Sequence, residues 1–190
     1  LGNLKEAELF TRKAIEIKPD YAQAYSNLGS ILIDLGKLQE AEISCQKAIK
    51  INPDYAIAHS NLGGVFKEFG NLKEAELSTR KAIELNPNFA GAHSNLGNIL
   101  YDLGKLKEAE ISTRKAVQID PSFEDAKYNL SLILLKSNNF IEGLIKYDSR
   151  WKKRGKKKPF ITSKPEWSLN RTGTVLLWAE QGIGDEILYA

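Results

Sequence analysis

The chain has 190 residues, 42% hydrophobic and 27% charged, with 14 Gly, 6 Pro, one Cys and no Met. That balance excludes a disordered or collagenous polymer and fits a globular or repeat protein. No window approaches the roughly 18 consecutive apolar residues of a membrane span, and Leu1-Gly2-Asn3-Leu4-Lys5-Glu6 lacks the basic-then-apolar pattern of a secretory leader. The formal net charge of +3 is local: residues 150–164 hold eight Lys and Arg and no acid, while residues 1–149 are close to neutral. Nucleic acid is therefore disfavoured as a partner, because no basic face extends over the body of the chain. The single Cys45 demands no oxidising compartment and supports no metal cluster. A cytoplasmic location with neither metal nor cofactor is the expectation.

Laid on itself, the chain repeats at a fixed period: segments 22–55, 56–89 and 90–123 align without gaps, and the last two share 20 of 34 identities. Residues 1–21 align only with the second half of a repeat, through Leu4, Ala7, Thr11, Ala14 and Pro19. The expectation is a chain that starts within a repeat and leaves the apolar face of its first helix bare. In the three regular repeats Leu28, Leu32, Leu62, Phe66, Leu96 and Leu100 make an apolar stripe at helical spacing on each first (A) helix, and Ala41, Cys45 and Ala48 with their equivalents do so on each second (B) helix. Gly29, Gly63 and Gly97 fall where the paired axes must come close, opposite Ala41, Ala75 and Ala109. Gly36, Gly70 and Gly104 are placed to end the A helices in a left-handed conformation, and Pro53, Pro87 and Pro121 to stop the B helices.

Segment 124–152 keeps the frame through Leu130, Leu134, Phe140 and Tyr147, but Ser131 stands in the glycine column and Gly143 in the facing alanine column. This reads as a divergent fourth hairpin in which Ser131 and Gly143 approach each other. His59 and His93, with no third His in the chain, occupy the place between the two helices of a repeat where Tyr25 and Lys127 stand in the others. Their role is read as structural.

These motifs, Leu28-Gly29, Leu62-Gly63 and Leu96-Gly97 in the A helices, Ala41, Ala75 and Ala109 in the B helices and a closing proline, resemble the tetratricopeptide repeat over about 150 residues. The resemblance implies an all-α, right-handed superhelix (an αα solenoid) whose concave side is lined by A helices and receives a polypeptide. The concave-facing positions hold Ser26, Ser60 and Ser94, then Asn27, Asn61, Asn95 and Asn129, with Asn98, Lys67 and Tyr101 on the same face. Asn is a poor helix former, so its recurrence needs a reason. Its amide, a donor and an acceptor, suits either main-chain recognition of a ligand or a bond to the adjacent repeat that sets the pitch. With helices roughly 8–10 Å apart, such a ladder would meet an extended ligand about every third residue. Asp34, Glu68 and Asp102 recur further along and would favour a basic ligand or simply solvate the helix ends. Serine at 26, 60 and 94, where a clamp for acidic tails needs Lys, disfavours chaperone-tail binding.

The remainder changes character. Segment 153–172 is read as a basic, proline-bearing linker, and 173–190 as the opening β–α unit of a truncated α/β domain: an apolar strand at 174–179, a Gly-x-Gly loop, and a helix capped by Asp185. The unpaired strand is a candidate for self-association through its edges. Lys164-Pro165-Glu166-Trp167 and Glu180-Gln181-Gly182-Ile183-Gly184-Asp185 resemble bacterial repeat proteins with a heptosyltransferase-like domain, and the repeats resemble those of the protein O-linked N-acetylglucosamine transferases. That resemblance implies an acceptor loop at Gly182 and Gly184 and a general base at Asp185, with the 190-residue chain itself inactive. Asp185 as a plain helix cap, and the whole chain as a stand-alone assembly scaffold, are the alternatives.

Overall fold

A computed structural model describes residues 2–147, and among them the architecture is entirely helical. The helices are α1 (Gly2–Ile17), α2 (Ala22–Asp34), α3 (Leu38–Ile51), α4 (Ala56–Glu68), α5 (Leu72–Leu85), α6 (Ala90–Asp102), α7 (Leu106–Ile119), α8 (Glu124–Lys136) and α9 (Phe140–Tyr147). From α2 to the start of α8 the helix boundaries recur in step with the sequence repeat, the A helices opening at Ala22, Ala56, Ala90 and Glu124. The β–α unit expected at 173–190 and the linker at 153–172 lie outside the described residues.

Each A helix ends on the same turn. Gly36, Gly70 and Gly104 have φ of 72°, 79° and 74°, and the next amide reaches back to the last turn, Lys37 N–H to the Leu32 carbonyl at 2.8 Å and Lys105 N–H to that of Leu100 at 2.8 Å. This six-to-one closure satisfies carbonyls that the helix end would otherwise orphan. In the fourth hairpin Asn138 takes the left-handed position, φ 63°, with Asn139 N–H bonded to the Leu134 carbonyl at 2.8 Å. Asn is the side chain that tolerates this conformation best after glycine.

The A-helix leucines form the core: Leu28, Leu32, Leu62, Leu96, Leu100, Leu130 and Leu134 are buried together with Ala41, Cys45, Ala48 and their equivalents. α1 buries no residue, and Phe10 and Ile17 stand exposed. At the hairpin crossings, a Cβ on Gly29, Gly63 or Gly97 would run first into the side chain of Cys45, Thr79 or Thr113, and next to the carbonyl of Ala41, Ala75 or Ala109 at 3.1–3.5 Å. The close approach expected at the alanine is therefore made with its carbonyl, and the side chain opposite comes from one turn further along. The fourth crossing also differs from expectation. A Cβ on Gly143 would meet Leu135, with side-chain atoms at 2.9 Å and the backbone N at 3.2 Å, while the Ser131 hydroxyl donates to the Tyr128 carbonyl at 2.6 Å. Gly143 makes room for Leu135 rather than for Ser131. The column of Cys45 and Thr79 is here filled by Tyr147, which stacks on Tyr128 at 5.6 Å.

The backbones of consecutive A helices pack together (α2 with α4, α4 with α6, α6 with α8), whereas those of consecutive B helices among the described residues stand further apart and meet only through long side chains. A stack closed on one side and fanned on the other is curved, with the A helices on the concave face.

Candidate functional site

The concave face is organised by a hydrogen bond that crosses from each repeat to the one before it. The Asn61 amide Nδ2 donates to the Ser26 carbonyl at 3.0 Å and to its hydroxyl at 3.1 Å. Asn95 Nδ2 donates to the Ser60 hydroxyl at 3.1 Å, and Asn129 Nδ2 reaches the Ser94 hydroxyl at 3.5 Å. The amide–carbonyl contact at Ser26 fixes the direction of the Asn61 side chain, since a carbonyl only accepts. Asn27 precedes any such serine; it is exposed and no side-chain hydrogen bond is found for it among the described residues.

Of the ligand-contact positions expected from sequence, the three serines are buried, though Ser60 also lines the concave cleft. Ser26, Ser60 and Ser94 are at most 3% exposed, because each is the acceptor half of the junction and lies beneath the asparagine. Asn61, Asn95, Asn98 and Lys67 come together around a cleft of about 240 Å³, with Ile33, Ile99 and Gly64 as its apolar part and Glu68 at its mouth. Gly64 gives the cleft its room: a Cβ there would find only Ile33 Cδ1, at 3.9 Å. Lys67 answers both Glu68 and Asp102 at 3.6 Å, so the acidic column expected to face a basic ligand is partly neutralised from within. Tyr101 is half-buried and lies beneath the Lys136 ammonium, 4.0 Å from the ring centroid, a cation–π contact between neighbouring A helices. Gly182, Gly184 and Asp185 lie outside the described residues.

The histidines act within the scaffold. His59 Nε2 contacts the Pro53 carbonyl at 2.8 Å and His93 that of Pro87 at 3.0 Å, so each ring ties the interhelical loop to the A helix that follows it. Among the described residues no group of three or more His, Cys, Asp or Glu side chains is arranged around a metal position. Burial pushes the Cys45 thiol up to about 12, which keeps it neutral and unreactive. No helix among the described residues is long and apolar enough to cross a membrane.

Sequence reasoning missed two features of the outer face. The first is a groove of about 930 Å³ between α5 and α7, floored by Leu96 and Leu100 and walled by Ile83 and Ile111; Leu100 stands in the column that the larger Phe66 fills one repeat earlier. Its rim charges are engaged with one another, Arg80 with Glu108 at 3.0 Å and Arg114 with Glu110 at 2.8 Å. The second is a lattice of ion pairs between repeats. Glu8 accepts from Lys37 and Arg12, both at 2.9 Å, and Glu76 from Lys105 at 2.9 Å and Arg80 at 2.8 Å. Arg12 also reaches Glu40 and Arg114 reaches Glu142, each at 2.6 Å. The i,i+4 half of each cluster was visible in sequence; the half that reaches across to the next repeat required the stack.

A curved array of helical hairpins with an asparagine–serine contact at three successive junctions defines an αα solenoid built to present an extended surface. The family profile described as Tetratricopeptide repeat matches residues 22–55 and 90–123, and one described as TPR repeat matches 65–104. The chain belongs to the tetratricopeptide-repeat family, and its repeats resemble those of the O-GlcNAc transferases. Among solved structures it is similar to a thermophilic TPR protein of Thermus thermophilus (20% identity, 81% of this chain and 84% of that one, TM-score 0.72). It is also similar to YrrB, described as a TPR protein with an unusual peptide-binding site (26% identity, 80% and 78%, TM-score 0.57). An O-GlcNAc transferase of Thermobaculum terrenum matches at 28% identity over 60% of this chain and 22% of that one, with a TM-score of 0.58. No curated protein matches.

Proposed function

We propose that the superhelix holds an extended polypeptide along its concave face through Asn27, Asn61, Asn95 and Asn129, as the acceptor-recognition arm of a glycosyltransferase. One observation carries this reading: the same amide recurs at three successive junctions, one side of it held against the neighbouring serine, which leaves Oδ1, and at Asn95 and Asn129 a second N–H, for a ligand. Such a row recognises the main chain and is indifferent to sequence, as a protein-modifying enzyme with many acceptors needs. The similarity to a peptide-binding TPR protein and to an O-GlcNAc transferase supports the two halves of the proposal. Within it, the sequence motif Gly182-Ile183-Gly184-Asp185 is the start of the acceptor side of the catalytic domain, and Asp185 is its general base.

Asn27 gives a clean test, because it spends nothing on the fold. Binding of reduced, carboxymethylated α-lactalbumin, a permanently unfolded polypeptide, is followed by fluorescence anisotropy. Asn27→Ala should weaken it about two- to tenfold, the worth of one neutral hydrogen bond, at an unchanged denaturation midpoint. Asn61→Ala should lower both affinity and stability, since it also breaks the bond to Ser26. Affinity unchanged in the Asn27→Ala, Asn61→Ala double variant overturns the proposal.

A further inference from the structure

The outer face of the stack carries a regularity that the concave face does not use. Leu9, Ile43, Leu77, Ile111 and Ile145 follow one another at the repeat period, one on each B helix, and all are exposed, from 52% to 71%. Each stands opposite the small residues that pack its helix inward: on α5, Ala75 and Ala82 are fully buried while Leu77 is 70% exposed. Single aliphatic side chains scattered over a surface are ordinary. One per repeat, in the same column of successive helices, makes a continuous apolar strip running across the B helices.

Charge flanks the strip in a fixed order. Glu74 lies one turn before Leu77 and Lys81 one turn after it; Glu40, Ile43 and Lys47 on α3 and Glu108, Ile111 and Lys115 on α7 repeat the arrangement. All six charged side chains are exposed. Residues three and four apart share a helix face, so the aliphatic side chain stands near the middle of the roughly 10.5 Å between acid and base. Part of this charge is unanswered within the chain. Among the described residues the side chains of Glu74 and Lys47 make no ion pair or hydrogen bond, and Lys115 reaches only Gln118, at 3.3 Å.

A strip with this order is complementary to itself. A two-fold axis along the strip lays each B helix antiparallel on its own copy, aliphatic on aliphatic, with Glu40, Glu74 and Glu108 opposite Lys47, Lys81 and Lys115 of the second copy. The other two-fold axis that keeps the strips in register runs along the helices and lays α3 on α7 of the second copy, like end on like end. It sets Lys47 and Lys50 against Lys115, and residues 44–51 and 112–119 contain no acid to separate them. Like charges brought face to face at an interface are costly, so charge selects the first axis. The face is convex, which confines the contact to the middle of the strip, on α3, α5 and α7.

We propose that the outer face is a self-association surface: two copies of this chain pair through Ile43, Leu77 and Ile111 about a two-fold axis along the stack, leaving both concave faces turned outward and open. Such a contact is isologous, so it closes on itself and growth stops at two. Three helices a side put it at the small end of specific interfaces, roughly 1,200 Å² of buried surface, where association is weak.

Sedimentation equilibrium of the full chain across the micromolar range tests this, and it should fit a monomer–dimer equilibrium with no larger species. Leu77→Lys changes an exposed position that the fold does not use, so the denaturation midpoint should hold while dimerisation weakens at least about tenfold. Charge reversal tests the axis. Glu74→Lys and Lys81→Glu should each weaken the dimer about two- to tenfold, because each sets like charges opposite one another twice. The double variant Glu74→Lys, Lys81→Glu restores opposite charges at both places and should return to within about threefold of the parent. A double variant no tighter than the single ones overturns the two-fold axis along the strip. A chain that stays monomeric, one that grows beyond a dimer, or a dimer indifferent to Leu77→Lys overturns the proposal.

Discussion

Gly63 and Gly64 are neighbours in α4 with opposite surroundings, and alanine at each separates packing from helix propensity. Either substitution removes the same backbone freedom, a gain of about 0.5–1 kcal/mol in a helix interior. At Gly64 nothing opposes that gain, because the new Cβ meets only Ile33 Cδ1 at 3.9 Å; Gly64→Ala should stabilise by about that amount. At Gly63 the new Cβ runs into Thr79 Oγ1 and lies 3.1 Å from the Ala75 carbonyl oxygen and 3.3 Å from Thr79 N. Two of these atoms are α5 backbone, so the hairpin must open, and overpacking of this kind costs about 1–3 kcal/mol. The net effect of Gly63→Ala should be a loss of up to about 2 kcal/mol, and because the backbone gain is common to both, the two variants should stand about 1–3 kcal/mol apart. Urea unfolding followed by far-UV circular dichroism and by tyrosine fluorescence measures the difference and reveals any uncoupling of repeats. Equal stability of the two variants, or a more stable Gly63→Ala, would refute the claim that the hairpin crossing requires a bare Cα.

Gln46 occupies the column of Arg12, Arg80 and Arg114 and bonds only within its own helix, to Glu42 at 2.9 Å. Gln46→Arg should add the missing bridge toward Glu74 and stabilise by about 0.2–1 kcal/mol, a gain that high salt erases in the same urea titration. The Cys45 thiol, pushed from 9.0 to about 12 by burial, should resist iodoacetamide until the protein unfolds. Its raised value contributes stability that is full below the ordinary thiol range and lost as pH rises through it toward about 12, so Cys45→Thr should flatten the alkaline limb of the stability profile. Glu8, Glu76 and Glu142 are held below the usual carboxylate range by hydrogen bonds, from Lys37, Lys105 and Arg114 respectively before any other cause. Their contribution is present above the ordinary glutamate value and lost as pH falls through the lowered ones. Acid titration of a Glu76→Gln, Glu142→Gln variant should show a shallower loss than the parent.

The helices were legible in sequence because the information that fixes them is local and repeated: the leucine stripe, the turn glycine and the stopping proline return in each regular repeat. The asparagine column was visible for a related reason, since it returns in step with the repeat. What the serines beside these asparagines do for the stack was not legible. Ser26 and Asn61 are far apart in the chain, and their pairing exists only once two repeats are stacked with the serine beneath the amide. The Gly143 environment failed for a similar reason. A glycine's partner is whichever side chain the crossing angle delivers, and in the divergent hairpin that is Leu135. The outer groove over Leu96 and Leu100 was beyond pattern reading altogether, because its walls come from α5 and α7 and meet only in the stack.

The inner and outer faces of the stack are held by bonds of different stiffness. Compact, partly buried Asn–Ser contacts join the A helices, while the B helices are linked by long, largely exposed Arg and Lys side chains, whose pairings are weak and adaptable. A strip fastened firmly along one edge and loosely along the other bends about the fastened edge. Bending about that edge would move the B helices more than the asparagines. The row of amides then behaves as a graduated rule set along the neutral axis of a flexible beam: the body can curve to follow a moving chain while the marks that measure it stay evenly spaced.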